Sequence, residues 1–362
     1  MVTPISVDAG NAGTKISALV NGKIHDYFMP SFCVPLTRSQ WDNVVARSEQ
    51  TGDYAVINGI PFAFGRTALQ YSLIGTRDVA RYTRDFLGAI LAFGCARLKV
   101  SGQISAMVLH PPRNIAFRNQ MYSAVSGEFE VITYHGQTRK PRKSSIQVGP
   151  VTTLDEPLGG LTRAMLGDSW LTSKPVPDPR FKGIKNLLVL DVGGNTTDVV
   201  GIQNNHVIVE SFVSVPLGVN GLMNSVREYI NNTQNELVTM ANNPHFDDAV
   251  LMQAFQDRFI QIGGHKIELA PKLVELFTAL ANNVSMLMKT SEYASSQGLV
   301  ITGGGGALIE SFLRVQHKPF FGSNIFLAET PKDMAFANAR GGLAILAMSQ
   351  TMGKNRRGVS NG

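Results

Sequence analysis

The segment PISVDAGNAGTK, residues 4–15, decides the fold, because a second segment of the same design, LLVLDVGGNTTD at residues 187–198, occurs halfway along the chain. In each, a short run of β-type residues ends in an aspartate. A turn rich in Gly, Asn and Thr then leads into a second β-type run, at residues 16–20 and 199–202. This pattern predicts a β-hairpin with a glycine-rich, hydroxyl-bearing tip. The spacing of about 180 residues favours two duplicated lobes over a solenoid, whose period is about 20–50 residues.

The aspartate in front of each glycine turn indicates which ligand the turns bind. Backbone N–H groups in tight turns bind phosphates, and glycine lets the backbone approach closely. A carboxylate beside a phosphate repels it unless a cation intervenes, so Asp8 and Asp191 predict Mg²⁺ held largely through its waters. Lys15 adds a positive charge that can meet a β- or γ-phosphate. Hydroxyl donors are supplied by Thr14, Thr196 and Thr197.

A third glycine-rich turn, TGGGGA at residues 302–307, follows a short predicted strand at residues 299–301. A single Asp-Gly turn is most often structural, but two of them after apolar strands in both halves, together with a third glycine-rich turn, indicate a nucleotide site. The chain has no GxxxxGK[ST] motif, which argues against a P-loop enzyme. None of the turns fits GxGxxG, which argues against a dinucleotide-binding fold.

Length and composition predict a globular protein of two or three domains. The 362 residues are 44% hydrophobic and 17% charged, which is enough to bury a sizeable core. No apolar run reaches the roughly 18 residues of a membrane-spanning helix. The two cysteines and seven histidines form no metal or redox spacing. We therefore expect no protein-liganded zinc site and a cytoplasmic location.

Charge is distributed unevenly along the chain. Residues 1–150 hold 16 Lys/Arg against 9 Asp/Glu, while residues 151–362 hold 17 against 18. A local basic cluster consists of Arg139, Lys140, Arg142 and Lys143. Two interpretations stay open: a solvated face on an ordinary lobe, or a surface for an anionic partner or for head-to-tail self-association.

Several further elements follow from periodicity and turn residues. Apolar spacing predicts helices over residues 78–99 and 273–288, the second one as a core helix. Residues 104–109 read as a strand ended by two prolines, and residues 129–134 and 145–148 as a hairpin around the basic cluster. Thr330 followed by Pro331 predicts the start of a C-terminal helical region.

At these motifs the chain resembles the actin-like ATPase superfamily, and within it the ParM-type plasmid-segregation actins and the archaeal actin-like proteins. Residues 8–15 resemble the first phosphate motif of the family, residues 191–198 the second, and residues 302–307 the adenosine motif. FANARG at residues 336–341 resembles the signature before the final helix. The segment DEPLGG, residues 155–160, falls where the family has its first interlobe connection.

The resemblance implies an α/β, two-lobed actin-like fold, a duplicated ribonuclease H-like fold with nucleotide in the interlobe cleft. Lobe I would comprise residues 1–155 and about 335–362, with a small subdomain at about 31–80. Lobe II would comprise residues 156–334, with a small subdomain at about 217–270. The two small subdomains match nothing specific. His110-Pro111-Pro112 also departs from the family, where a glycine-containing turn is more usual.

The same resemblance implies ATP/ADP and Mg²⁺ as ligands, with Asp8, Asp191 and Glu156 as catalytic residues. Glu156 would orient the attacking water, and the two aspartates would hold Mg²⁺ through water. The nucleotide would be contacted in the first motif by Gly10, Asn11, Ala12, Gly13, Thr14 and Lys15. In the second and third motifs it would be contacted by Gly193, Gly194, Asn195, Thr196, Gly303, Gly304, Gly305 and Gly306.

The function implied is an ATPase that polymerises into ATP-dependent cytoskeletal filaments, serving plasmid or DNA segregation. Its partners would be copies of itself and a DNA-binding adaptor, with no membrane segment and no direct sequence-specific DNA binding. Two alternatives stay open, a metabolite kinase or phosphatase of the same superfamily and a non-polymerising regulatory ATPase. A sugar kinase needs a pocket carboxylate that deprotonates the acceptor hydroxyl, and the sequence identifies none.

Overall fold

The computed structural model describes residues 2–10, 13–49, 52–71, 79–134, 140–172, 174–204, 206–233, 248–262, 264–287 and 295–359. The chain divides into two compact units. Unit 1 comprises Met1–Ile184 and Phe326–Gly362, and unit 2 comprises Lys185–Ile325. Within the described ranges, no helix has both the length and the apolar character needed to cross a membrane.

Unit 1 contains a nine-stranded sheet in the order β3-β2-β1-β7-β9-β8-β5-β6-β4. Its strands are β1 (Thr3–Ala9), β2 (Gly13–Val20), β3 (Lys23–Pro30), β4 (Cys33–Pro35), β5 (Tyr54–Ile57), β6 (Ile60–Phe64), β7 (Gly102–His110), β8 (Gly127–Tyr134) and β9 (Pro141–Asp155). β1 pairs in parallel with β7, and β7 in parallel with β9. β1 and β2 form the predicted glycine hairpin, and β8 and β9 form the hairpin predicted around the basic cluster.

Unit 2 repeats the central part of this arrangement on a smaller scale. Its strands are β10 (Leu187–Val192), β11 (Thr197–Gln203), β12 (His206–Val215), β13 (Phe259–Ile262), β14 (His265–Glu268) and β15 (Gly298–Thr302), together with β16 (Ile325–Leu327), which begins at the last residue of the unit. The main sheet has the order β12-β11-β10-β15-β16, and β13 pairs with β14. β10 has an antiparallel hairpin partner, β11, and a parallel partner, β15, as β1 has β2 and β7.

Within the described residues, the helices lie between groups of strands. They are α1 (Arg38–Ala46), α2 (Gly65–Ala68), α3 (Ala89–Arg97), α4 (Arg118–Val125), α5 (Glu156–Leu166), α6 (Val219–Thr233), α7 (Asp248–Asp257), α8 (Ala270–Leu287), α9 (Gly306–Phe321) and α10 (Ala337–Val359). The predicted core helix at 273–288 corresponds to α8, except that Met288 lies outside the described residues.

The core of unit 1 explains why its central strands read as continuous apolar runs. Ile5 and Val7 in β1 and Ile104 in β7 are fully buried, as expected for parallel strands with both faces covered. Residues 89–96 of α3 are buried as well. These apolar strands place their carboxyl ends, where Asp8 lies, at one edge of the sheet.

The predicted helix over residues 78–99 is interrupted in the structure. A 3₁₀ turn at Val79–Tyr82 is followed by a π-helical turn at Arg84–Gly88, and α3 begins only at Ala89. The break lies at Thr83, whose backbone is extended at φ −91° and ψ 162°. A Cβ at Gly88 would collide with the carbonyl oxygen of Ala124, so this turn packs directly on the backbone of α4. Apolar spacing alone carries no sign of that contact.

Two boundaries between the units differ from the lobe boundaries expected from the sequence. Residues 156–184 and 326–334 group with unit 1 rather than with the second half, because α5 packs backbone to backbone on α10. A Cβ on Gly341 would collide with the carbonyl oxygen of Gly159. The C-terminal helix also begins later than Pro331: a 3₁₀ turn at Met334–Phe336 comes first, and α10 begins at Ala337.

Candidate functional site

The first hairpin places Asp8 of β1 directly opposite Lys15 of β2. Asp8 is 2% exposed, and its Oδ2 lies 3.4 Å from the Nζ of Lys15. Its other oxygen, Oδ1, is buried and has no hydrogen-bond partner among the described residues. Because a buried carboxylate oxygen is costly to leave unsatisfied, this atom marks a position where water or a hydrated cation can be held.

The turn of the first hairpin is held by Ser31, a residue that the sequence analysis did not select. The Ser31 hydroxyl donates to the carbonyl oxygen of Gly10 at 2.5 Å. It therefore accepts the hydrogen bond from the Thr14 hydroxyl, at 2.8 Å. Thr14 is fully buried, so its hydroxyl holds the turn and is not the free donor expected from the sequence. The contact spans 21 residues of chain, which is why no local motif indicated it.

Side chains pack closely against both glycines of this turn. A Cβ on Gly10 would lie 2.9 Å from the Nζ of Lys15. A Cβ on Gly13 would collide with the ring of Phe28, which is half exposed. The two other predicted contact residues of this turn, Asn11 and Ala12, lie outside the described residues.

The second hairpin places two carboxylates opposite each other, where the first has a carboxylate and an ammonium group. Asp191 of β10 pairs in register with Asp198 of β11, and both are 3% exposed. Like charges directly opposite on one face of an antiparallel pair repel unless donors, a proton or a cation compensate. Asp198 stands in the predicted motif but received no role there, although strand alternation places it opposite Asp191.

The turn of the second hairpin leaves two backbone donors available. The N–H of Gly193 donates to the carbonyl oxygen of Thr196 at 2.8 Å and closes the turn. Gly193 is therefore part of the turn itself. Within the described ranges, the N–H groups of Gly194 and Asn195 donate to no backbone carbonyl. Successive N–H groups of this kind form an anion-binding concavity.

The start of α6 holds this turn in place. The N–H of Asn220 donates to the carbonyl oxygen of Gly194 at 2.7 Å, and its side-chain amide donates to Oδ1 of Asn195 at 2.6 Å. A Cβ on Gly218 would collide with the same Gly194 carbonyl. The second turn is thus held by backbone and an amide side chain, whereas the first turn is held by a serine hydroxyl.

The threonine hydroxyls of the second motif also have intramolecular partners. Thr197 is buried and donates to the carbonyl oxygen of Leu217 at 2.7 Å. Thr196 donates to Oδ2 of Asp198 at 3.2 Å. As with Thr14, the hydroxyls predicted as phosphate donors contribute to the shape of the turn.

The third glycine turn packs directly on the second hairpin within unit 2. Gly303 has a φ of 79°, and a Cβ on it would collide with Oδ1 of Asp191. The N–H of Gly305 donates to the carbonyl oxygen of Val192 at 2.9 Å, and the N–H of Gly306 donates to that of Gly303 at 3.0 Å. Gly304, at the tip, is exposed. Residues more than a hundred positions apart in sequence thereby form one bare backbone surface.

In unit 1, Asp8 and Glu156 lie at the same edge of the large sheet. β1, β7 and β9 run in parallel, and the register aligns Asp8 with Leu109 and His110 with Asp155. Glu156 follows at once as the first residue of α5 and is partly exposed. Two of the three predicted catalytic residues are thus brought to one edge of one sheet.

His110 is the principal residue at this edge to which the sequence analysis gave no role. It is fully buried, its Nδ1 donates to the carbonyl oxygen of Pro111 at 2.9 Å, and the same atom lies 3.4 Å from Oδ1 of Asp155. Burial lowers the pKa of His110 and outweighs the opposing effects of Pro111 and Asp155. Burial also raises the pKa of Asp155 and outweighs the charges of His110 and Arg118.

A buried ion network holds the first hairpin against the C-terminal helix within unit 1. Arg340 donates to Oδ2 of Asp26 at 2.7 Å and to Oε2 of Glu329 at 2.7 Å. Ser17 donates to the other oxygen of Asp26, and Arg163 pairs with Glu329 at 2.5 Å. Burial alone would lower the pKa of Arg340, but its bonds to the two carboxylates raise it. The predicted signature at 336–341 therefore includes a structural arginine.

The basic cluster lies on the β8–β9 hairpin. Lys140 and Lys143 are exposed and Arg142 is half-buried, while Arg139 lies outside the described residues. Thr133 pairs with Arg142 and Ile132 with Lys143. The strand pairing was expected from the sequence, and the lysines remain on the surface.

Comparisons with known proteins identify the fold. Residues 189–315 match the family described as archaeal actin homologue MreB-like, C-terminal. Bacillus thuringiensis ParM with ATP superposes with a TM-score of 0.72 at 14% identity, over 97% of this chain and 99% of that one. The archaeal actin homologue Ta0583 superposes with a TM-score of 0.69 at 16% identity, over 95% and 98% of the two chains. This chain has the actin-like fold.

The actin-like fold confirms the resemblance and the fold class expected from the sequence. The structure of Ta0583 in complex with ADP also superposes, with a TM-score of 0.67 at 15% identity over 95% of this chain and 98% of that one. The family match at 189–315 includes the region of about 217–270, for which the sequence motifs gave no specific resemblance. A search of curated protein sequences finds no match.

Proposed function

We propose that this actin-like protein binds ATP together with Mg²⁺ and hydrolyses the γ-phosphate. The observation that supports it most is the occurrence in both units of one arrangement, a buried aspartate at a strand end followed by a glycine turn. ParM with ATP and Ta0583 with ADP have the same fold. Nucleotide binding is therefore the first property to test for this chain.

The residues present fit a hydrated magnesium ion. Mg²⁺ prefers oxygen ligands and keeps several of its waters. Asp8 offers a buried oxygen without a hydrogen-bond partner among the described residues, and Asp191 lies opposite a second carboxylate, Asp198. Within those same residues, no group of three or more His, Cys, Asp or Glu side chains could hold a metal. Water and phosphate oxygens would thus complete the coordination. Bound Mg²⁺ would neutralise phosphate charge.

The phosphates would be bound mainly by backbone groups. In unit 2 the N–H groups of Gly194 and Asn195 are the available donors, and in unit 1 the turn at Gly10 and Gly13 lies beside Lys15. The Lys15 ammonium is held by Asp8 at 3.4 Å, which keeps it at the turn. We propose that one nucleotide is bound by both hairpins.

Glu156 would align the attacking water for in-line displacement. It lies at the edge of the sheet that carries Asp8, the residue before the last one of β1. Catalysis of this kind is mainly positioning and charge stabilisation. The adenosine would lie on the bare backbone of Gly303–Gly306, where a side chain would obstruct it.

We further propose that ATP binding promotes filament assembly, serving plasmid or DNA segregation through a DNA-binding adaptor. The resemblance to the segregation actins supports this role, and so does the excess of positive charge in residues 1–150. Whichever nucleotide state buries more complementary surface between protomers is favoured in the polymer. Lys140 and Lys143 are exposed candidates for contact with an acidic neighbouring surface.

Light scattering and pelleting of the purified chain test both parts of the proposal. We expect salt-sensitive polymer with ATP and Mg²⁺ that decays as ADP accumulates, and no signal after chelation of Mg²⁺. Absence of ATP binding and turnover would overturn the ATPase. Turnover without scattering at high protein concentration would overturn the filament alone, and strong stimulation by one small metabolite would indicate a kinase instead.

A further inference from the structure

Three buried polar atoms without partners lie around the carboxyl ends of β7 and β9. They are Nε2 of His110, Oδ1 of Asp155 and Nε of Arg118, and none has a hydrogen-bond partner among the described residues. His110 and Asp155 are in register on adjacent strands, and the charge of Arg118 acts on both. Native proteins satisfy nearly all buried polar atoms, often with ordered water.

The chemistry of these three atoms suits ordered water at each of them. Because Nδ1 of His110 donates to the Pro111 carbonyl, Nε2 of the neutral ring is an acceptor. The Asp155 carboxylate oxygen is also an acceptor, and the Arg118 Nε–H is a donor. Ordered water can donate to each acceptor and accept from the arginine. Because Oδ1 of Asp155 lies 3.4 Å from Nδ1 and not from Nε2, more than one water is needed. Buried waters typically make about three hydrogen bonds of this kind.

The surrounding charges favour the neutral histidine that this arrangement requires. Arg118, at the start of α4, and Arg81, on the 3₁₀ turn at Val79–Tyr82, both lower the pKa of His110. Arg81 is buried and donates to the Tyr82 hydroxyl at 2.8 Å. Asp155 acts in the opposite direction, but desolvation of the fully buried ring is the larger effect. His110 thus keeps an acceptor nitrogen available for a donor.

Asp155 connects this cluster to Glu156. It is the N-cap residue of α5, with φ −68° and ψ 130°, yet its side chain makes no capping hydrogen bond. Glu156 is the next residue, and Pro157 follows it. Proline fixes its own φ and restricts the residue before it, so the backbone at Glu156 has little freedom. A change in the backbone of Asp155 would therefore move Glu156 with it.

We propose that His110, Asp155 and Arg118, hydrated by ordered water, form a positioning cluster that orients Glu156 for hydrolysis. The inference rests on the proposed ATPase function and adds three residues to it. None of the three is assigned contact with the nucleotide, and each acts through the first turn of α5. The cluster should consequently influence turnover and leave ATP affinity unchanged.

Two substitutions of His110 distinguish the contributions of its two ring nitrogens. Asparagine can replace the Nδ1 donor but offers nothing at the Nε2 position, whereas glutamine can place an acceptor near Nε2. We expect H110N to lower kcat by about ten- to hundredfold, as small misplacements of catalytic groups do, and H110Q to recover most of it. ATP affinity should stay within about twofold of wild type in both. The matched control is H25N, at an exposed histidine of β3.

The measurements are single-turnover hydrolysis, binding of a fluorescent ATP analogue and thermal unfolding, on the full chain with wild type in parallel. A wild type that binds no ATP overturns the proposed function. If wild type binds and hydrolyses ATP but the kcat of H110N is within twofold of wild type, the cluster alone is overturned. Equal impairment of H110N and H110Q also overturns the cluster alone. Nitrogen chemical shifts of His110 give an independent check, since the cluster requires a neutral ring protonated on Nδ1.

Discussion

The two glycine hairpins share one backbone design but differ in charge and in what holds them. In unit 1 the strand-end carboxylate of Asp8 lies opposite an ammonium group, that of Lys15. In unit 2 the corresponding Asp191 lies opposite Asp198, a second carboxylate. The first turn is braced by the hydroxyl of Ser31, and the second by the start of α6.

The surroundings of the two hairpins differ as well, which indicates different roles in binding and hydrolysis. The first lies at the sheet edge that carries Glu156 and is tied to α10 through Arg340. The second packs against the bare glycine turn that begins at Gly303. Under the proposed function, loss of Glu156 in unit 1 should alter turnover, and obstruction of the glycine turn after Gly303 in unit 2 should alter nucleotide affinity. Changes at residues of each hairpin and its surroundings test these differences.

The largest effect is expected for Glu156→Ala. Loss of a positioned catalytic carboxylate lowers kcat by about 10²–10⁴-fold, while ATP affinity should change by less than about threefold, because uniform binding is untouched. Rapid-quench hydrolysis and equilibrium ATP binding measure the two quantities. Glu130→Ala, at an exposed glutamate of β8, is the control. An unchanged hydrolysis rate in Glu156→Ala would contradict the proposed catalytic role of Glu156.

Arg340→Ala should cause the largest loss of stability. It leaves the largely buried carboxylate of Asp26 without its arginine, whereas Glu329 keeps Arg163, and breaking a buried pair costs about 3–5 kcal/mol. Chemical denaturation monitored by circular dichroism measures it. Arg180→Ala breaks an exposed pair with Asp178 and should cost about 0–1 kcal/mol. Equal losses in the two variants would show that the network does not anchor the first hairpin.

Gly304→Val should weaken nucleotide binding without slowing chemistry. Gly304 is exposed at the tip of the third turn, and its φ lies outside the left-handed region, so the fold tolerates a side chain there. A valine would obstruct the surface proposed for adenosine and raise the Kd for ATP about tenfold. Gly221→Val, at an exposed glycine of α6 with open space around it, is the control. A fall in kcat at saturating ATP would contradict a role in nucleotide affinity alone.

The smallest effects are expected from the braces of the two turns. Ser31→Ala and Asn220→Ala each remove a side-chain hydrogen bond to a turn, and each should cost about 1 kcal/mol of stability. Asn220→Ala should also raise the Kd for ATP a few-fold, since it loosens the donors at Asn195. Differential scanning calorimetry and titration calorimetry measure these changes. An Asn220→Ala variant with wild-type affinity would indicate that the second turn needs no brace.

The hairpins could be predicted because their signals are local. A strand, an aspartate and a glycine turn stand together in sequence, as at Asp8 and Asp191, and the periodicity of α8 is equally local. The actin-like fold followed from the order of these motifs along the chain. Of the catalytic candidates, Asp8 and Glu156 are found at one sheet edge.

What could not be predicted depends on contacts between distant residues. Thr14 reads as a free donor until Ser31 is brought beside it. His110 reads only as a departure from the family until the parallel register of β7 and β9 places it against Asp155. The boundary after Ile184 depends on the contact of Gly159 with Gly341 in α10. Such pairings need the folded topology, which a turn motif does not contain.

Hydrogen–deuterium exchange of the full chain with increasing ATP and Mg²⁺ tests most directly whether one nucleotide is bound by both hairpins. We expect peptides covering residues 8–20 and 191–203 to become protected together, with the same midpoint in ATP concentration, and residues 302–307 to follow them. Protection of only one hairpin, or two clearly different midpoints, would contradict the proposal that Asp8 and Asp191 serve a single site.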